Sequence, residues 1–182
     1  MSDTLRILDV VEDTVVDGPG LRTAIYSAGC PHHCPGCHNP ESWTDTNGKE
    51  VTIDELMAVI RADSLGNITF SGGDPLYQPE SFAKLAYRIK EETGKNIWCY
   101  TGYLFEYVVG NPRLSLILPY IDVLVDGRFL EEERDTTLPF RGSRNQRLID
   151  VQASLKRQKT VLFRYDPYSI CELLEKADGY SV

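Results

Sequence analysis

Apolar and polar positions along the chain change period several times, and each change marks an element. Arg6 to Val11 and Thr23 to Ser27 are β-rich and partly alternating, the pattern of strands. In Thr52-Ile53-Asp54-Glu55 a Thr is followed three residues later by Glu, the capping box that opens a helix, and the pattern carries that helix to about Asp63. Asn67 to Phe70 predicts a short strand that runs into Ser71-Gly72-Gly73. From Glu80 to Glu92, Phe82, Leu85, Ala86 and Ile89 fall at i, i+3, i+4 and i+7, one apolar stripe of a helix with Gly94 placed to cap its end. Asn96 to Tyr100 is a further strand, ending in Thr101-Gly102. A helix between Tyr103 and Leu118 is interrupted at Gly110-Asn111-Pro112, and Ile121 to Val125 is a strand that ends in Asp126-Gly127. Arg147 to Val151 and Thr160 to Phe163 are weaker strand candidates.

Strands alternating with helices imply a parallel sheet with helices outside it. Ligands of such folds bind at the carboxyl ends of the strands. Here those ends carry the loop at Cys30, Gly72-Gly73-Asp74, Thr101-Gly102 and Asp126-Gly127. A chain of 182 residues suits a single domain, 1–182, and is short of the about 250 residues of a closed eight-fold barrel. The expected fold is therefore α/β: an incomplete, open (β/α) barrel of mostly parallel strands with helices outside.

Composition narrows the function classes. Hydrophobic residues at 42% and charged residues at 25% exclude a disordered or collagen-like chain. The 27 acidic against 19 basic residues, a net charge of −8, argue against a nucleic-acid backbone binder, which needs a basic surface. No stretch of about 18 apolar residues suggests a membrane span, and Met1 to Val10 has no signal-peptide apolar region, so a cytoplasmic protein is expected. Five cysteines, an odd number, do not suggest a disulfide framework. Cys99 and Cys171 read as small buried hydrophobes.

The other three cysteines lie in Gly29-Cys30-Pro31-His32-His33-Cys34-Pro35-Gly36-Cys37-His38, spaced C-x3-C-x2-C. Proline and glycine keep this segment a loop that wraps a metal centre, and thiolates are soft ligands for zinc or iron–sulfur clusters. Three thiolates leave one iron of a four-iron cluster without a protein ligand, an open position for substrate. A structural zinc site completed by His32, His33 or His38 stands as the alternative. The Ser71-Gly72-Gly73-Asp74-Pro75 turn lets a ligand approach the backbone closely, and Asp74 supplies a carboxylate suited to an ammonium group.

Together these segments resemble the radical S-adenosylmethionine superfamily. Cys30, Cys34 and Cys37 match its cluster motif, and Gly72-Gly73-Asp74 matches its Gly-Gly-Glu motif with Asp in place of Glu. Asp17-Gly18-Pro19-Gly20-Leu21-Arg22-Thr23 is similar to the glycyl-radical-enzyme activases. Val125-Asp126-Gly127-Arg128-Phe129 and Arg141-Gly142-Ser143-Arg144-Asn145-Gln146-Arg147 resemble the activases of anaerobic ribonucleoside-triphosphate reductases. The resemblance covers roughly Val10 to Val151.

The resemblance implies a partial TIM-like core, one [4Fe–4S] cluster on Cys30, Cys34 and Cys37, and S-adenosylmethionine on its open iron. Gly72, Gly73 and Asp74 would hold the methionine amino group, with Gly36, Cys37 and His38 along the adenine side and Thr101 and Asp126 as weaker pocket candidates. The implied reaction is radical formation on a backbone glycine of the partner, the large subunit of an anaerobic ribonucleotide reductase, with an electron from a donor such as flavodoxin or ferredoxin. Arg22, Arg141, Ser143, Asn145, Gln146 and Arg147 are candidates for docking the partner; an arginine among them would also suit the cofactor carboxylate. Pyruvate formate-lyase activases carry Asp-x-Lys, tied to a monovalent cation, where this chain has Asp126-Gly127-Arg128, so the resemblance does not extend to that cation. An activase of a formate-lyase type enzyme, a small-molecule radical enzyme and a structural zinc module remain alternatives.

Overall fold

The computed structural model describes residues 3–166. Its strands are β1 (Thr4–Thr14), β2 (Arg22–Ser27), β3 (Lys49–Thr52), β4 (Asn67–Gly72), β5 (Ile97–Tyr100), β6 (Val123–Asp126) and β7 (Arg147–Asp150). They form one open sheet in the order β3-β1-β2-β4-β5-β6-β7. The middle of the sheet, β2-β4-β5-β6, is parallel. β1 is antiparallel to both β2 and β3, and β7 is antiparallel to β6.

The parallel sheet expected from strand–helix alternation is thus present in the centre and absent at the edges. No helix lies between β1 and β2, so the chain turns back on itself there. The stretch between β6 and β7 holds a single 3₁₀ turn, Glu131–Glu133, and the chain again returns antiparallel. β1 continues to Thr14, past the Val11 boundary read from the pattern, and β3 has no counterpart in that reading. Thr160 to Phe163 makes only an isolated bridge, Ile149 with Leu162.

The helices are α1 (Ile53–Ala62), α2 (Pro79–Thr93), α3 (Phe105–Gly110) and α4 (Val151–Arg157). The capping box forms as read: Thr52 Oγ1 accepts from Glu55 N at 3.2 Å, and Glu55 Oε2 accepts from Thr52 N at 2.7 Å. Gly94 ends α2 in the left-handed region, at φ 66°. The interruption at Asn111-Pro112 divides the third helical stretch into α3 and a 3₁₀ helix, Leu114–Tyr120. Among the described residues, no helix is long and apolar enough to cross a membrane.

Strand residues alternate between two unlike faces. Ile25, Ile68, Phe70, Ile97, Cys99 and Leu124 meet helix residues such as Leu56, Ile60, Phe82, Leu85 and Ile117 in the main core. Each such side chain, fully buried, contributes about 1.5–3 kcal/mol. Cys99 is fully buried, as its apolar surroundings in the sequence suggest; Cys171 lies outside the described residues. On the other face Trp98, Val123, Val125 and Leu148 are covered by Phe140 and Phe163. The two cores leave the carboxyl ends of the four parallel strands open.

Candidate iron–sulfur and cofactor site

The carboxyl ends of β2, β4, β5 and β6, with the loops after them, line one cleft. Cys30, Cys34, Cys37 and His38 come from the first, Ser71, Gly72 and Gly73 from the second, Thr101 and Gly102 from the third, and Gly127 to Phe129 from the fourth. Parallel strands in register put their ends on one rim, which explains why motifs distant in sequence meet here. The first two loops touch through main chain. Gly73 N donates to Ser27 O at 2.8 Å, and Asp74 N donates to Gly29 O at 2.9 Å. A Cβ on Gly73 would lie 2.4 Å from Gly29 O, so the contact requires glycine.

The cysteine loop is anchored by Gly29 N to Ser42 O (2.8 Å) and Cys30 N to Trp43 O (3.1 Å), and His33 stacks on Trp43. Burial pushes the Cys30 thiol up to about 11, against the opposing effect of the His32 and His33 main-chain amides. Burial also raises Cys34, while the Phe129 amide and the Arg128 charge pull it down. These thiols are therefore desolvated yet supplied with N–H donors, a setting in which thiolates are stabilised by a bound positive centre. Among the described residues, no three His, Cys, Asp or Glu side chains converge on a single metal ion. A four-iron cluster takes each thiolate on a different iron and does not require such convergence.

Asp74 is fully buried. Its Oδ2 accepts from His32 Nε2 at 2.7 Å, Thr101 Oγ1 at 2.9 Å and Gly102 N at 3.0 Å, and its Oδ1 accepts from Leu76 N at 2.8 Å. The carboxylate expected to face a ligand's ammonium is instead occupied by the protein itself. Beside it His32 Nδ1 is buried and has no hydrogen-bond partner. Thr101 also sits at the rim, its hydroxyl directed to Asp74.

The segment before β7 braces the fourth loop. Asn145 Nδ2 donates to Arg128 O at 2.8 Å, and Gln146 Nε2 donates to Gly127 O at 3.1 Å. Gln146 Oε1 accepts from Gly142 N at 2.9 Å and from Ser143 N at 3.2 Å. Ser143 is fully buried and its hydroxyl accepts from Leu130 N at 3.2 Å. This small network holds Phe129, whose amide meets Cys34, against the cysteine loop.

The model of the 4Fe-4S single cluster domain family matches residues 16–149. The anaerobic ribonucleoside-triphosphate reductase-activating protein of Vibrio cholerae is 38% identical over 140 residues, covering 72% of this chain and 89% of that protein. Its namesake in Haemophilus influenzae is 38% identical over 152 residues, covering 78% and 96%. That of Escherichia coli is 36% identical over 140 residues, covering 72% and 90%. This chain belongs to the anaerobic ribonucleoside-triphosphate reductase-activating protein family.

Membership of this activating family does not make every expected site residue a surface residue. Arg22, a docking candidate, is 1% exposed. Its Nε donates to Thr69 Oγ1 at 2.6 Å, its Nη2 reaches Ile68 O and Asn96, and its guanidinium lies over Trp98 at 5.5 Å. It fills the face opposite the helices at the far end of β2 and presents nothing to a partner. Asp126 is fully buried behind the rim: Oδ2 accepts from Phe105 N at 2.8 Å, and both oxygens accept from Arg147. It caps α3 and does not line the cleft. Arg147 is committed to Asp126 and Glu106.

Ser143, Asn145 and Gln146 brace the Gly127–Phe129 loop at the cleft rim, as described above. Arg141 remains half-exposed beside His38, with its Nε buried and unpartnered. The contact of Phe129 with Cys34, the pairing of His32 with Asp74 and the bracing function of Asn145 and Gln146 were missed by sequence reasoning. A His between the first two cysteines was visible, but only as a spare metal ligand.

Proposed function

We propose that this chain activates an anaerobic ribonucleoside-triphosphate reductase by generating a glycyl radical on its large subunit. Cys30, Cys34 and Cys37 would hold one [4Fe–4S] cluster. Three ligands leave one iron for S-adenosylmethionine, placed along Gly72-Gly73 and Thr101 with Gly36, Cys37 and His38 toward the adenine. The observation that carries this reading is the meeting of a three-thiol loop and a glycine turn on one open rim, in a chain of the activating family. The donor set fits the group: desolvated thiols with amide donors, and one buried ring nitrogen without a protein partner.

When bound, the cluster and S-adenosylmethionine would supply hydrogen-atom abstraction from a partner glycine, with one electron drawn from a reductant such as flavodoxin or ferredoxin. The protein needs no acid–base residue for this. Its thiols hold the iron, its amides offset the negative charge on sulfur, and its rim orients the cofactor. The sheet is open, and we read it as an incomplete barrel whose missing side admits the glycine-bearing segment, in the cytoplasm.

The test is anaerobic. The chain is reconstituted with iron and sulfide, reduced, given S-adenosylmethionine and assayed for 5′-deoxyadenosine, then mixed with the reductase. About four irons per chain, the nucleoside product and a partner radical whose spectrum changes with deuterated glycine are expected. One tightly held zinc and no product would overturn the reading.

A further inference from the structure

We infer that His32 is a positioning residue that latches the cysteine loop to the cofactor rim through Asp74. This inference rests on the proposed function and deepens it. Asp74 is one methylene shorter than the Glu of the superfamily pattern, and its carboxylate turns inward to His32, Thr101, Gly102 and Leu76. With those donors in place it has little capacity left for a ligand, so main-chain carbonyls of the Gly72-Gly73 turn are left to receive the cofactor's ammonium.

His32 is the part of the cysteine loop that reaches this carboxylate. Its main-chain amide meets the Cys30 sulfur, while its ring donates from Nε2 to Asp74 at 2.7 Å. One residue thus ties a cluster ligand to the ends of β4 and β5. The ring is buried, its side chain 3% exposed, and fits a slot. Tyr103 meets it edge-on, with ring centroids 4.5 Å apart. Gly102 lies flat beneath it, where an added Cβ would come within 2.3 Å of Cδ2. Nδ1 has no partner, so Asp74 is the ring's single polar attachment. A ring held this way sets the distance between the iron left open and the glycine turn, the two places the cofactor must bridge at once. Small displacements of such a bridge weaken binding steeply.

Two variants test the latch in the reconstituted full chain. His32→Leu fills the slot without the hydrogen bond; His32→Gln keeps a donor near the Nε2 position. Iron per chain, the electron paramagnetic resonance spectrum of the reduced cluster, and its change on titration with S-adenosylmethionine are read for each. We expect His32→Leu to keep its iron but to need at least about tenfold more S-adenosylmethionine for the spectral change, and His32→Gln to recover most of that loss.

Gly102→Ala displaces the ring without removing a polar group and should behave as His32→Leu does. It carries the test if His32→Leu fails to fold. A titration in which His32→Leu or Gly102→Ala matches the unaltered chain would overturn the latch. An unaltered chain that takes up no four-iron cluster, or whose cluster ignores S-adenosylmethionine, would overturn the proposed function and the latch with it.

Discussion

Gly73 lies so close to the carbonyl oxygen of Gly29 that a methyl group on it would stand 2.4 Å from that atom. The glycine turn and the cysteine loop therefore share a main-chain seam, closed by Asp74 N donating to Gly29 O. Gly73→Ala should force the seam apart. We expect a reconstituted Gly73→Ala chain to hold less iron than the unaltered protein. Equal iron content with equal cofactor binding would show that the seam tolerates the methyl.

Gln146 and Asn145 hold the loop at Gly127–Arg128, and that loop sets the Phe129 amide on Cys34. Gln146→Ala should cost about 1 kcal/mol of stability. More tellingly, it should shift the reduction potential of the reconstituted cluster downward, because an amide donor to sulfur favours the reduced, more negative form. A potentiometric titration decides this. An unchanged potential with reduced partner activation would return Gln146 to the docking surface.

Arg22 is buried, and burial draws its guanidinium down to about 10. Arg22→Met keeps much of the volume but removes the donors to Thr69 Oγ1 and the Ile68 carbonyl. Loss of these charge-assisted bonds should destabilise the chain by roughly 2–4 kcal/mol. Urea unfolding of the metal-free protein measures it. A neutral effect on stability paired with a loss of reductase binding would restore the docking role.

Arg147 hydrogen-bonds Glu106 and, with Thr160, holds its carboxyl down at about 2 against an ordinary value of 4.5. A depressed folded-state value means the contribution is present above 4.5 and fades as pH falls toward 2. Glu106→Gln should therefore be less stable than the unaltered chain at neutral pH, and the gap should narrow below pH 4.5. The Glu106 side chain is half exposed, so the effect is small. Urea midpoints at pH 6 and pH 3 measure the gap; a gap that widens on acidification would contradict the assignment.

The candidate thiol loop was legible along the chain. Cys30, Cys34 and Cys37 stand out because their spacing is set within one loop, whose prolines and glycines are in view. The capping box at Thr52 and the glycine at the end of α2 are local too, governed by hydrogen bonds over three or four residues. So are the central parallel strands, since a buried strand needs a short β-rich run. The edges of the sheet were not legible, because β1 and β7 take their direction from what lies beside them.

The charged and polar residues divide in the same way. By itself the sequence determined which residue types the chain owns and roughly which strand ends would carry them: thiols, a glycine turn, and an Arg-, Asn- and Gln-rich segment. Only the tertiary structure decided which of these face outward. Arg22 and Asp126 look like surface chemistry in one dimension, yet each is buried among donors and acceptors from distant segments. Asp74 and His32, 42 positions apart, form one buried contact. A buried polar group must find its partners wherever the fold brings them, and the choice between ligand and strut is made by that pairing, which no local pattern records.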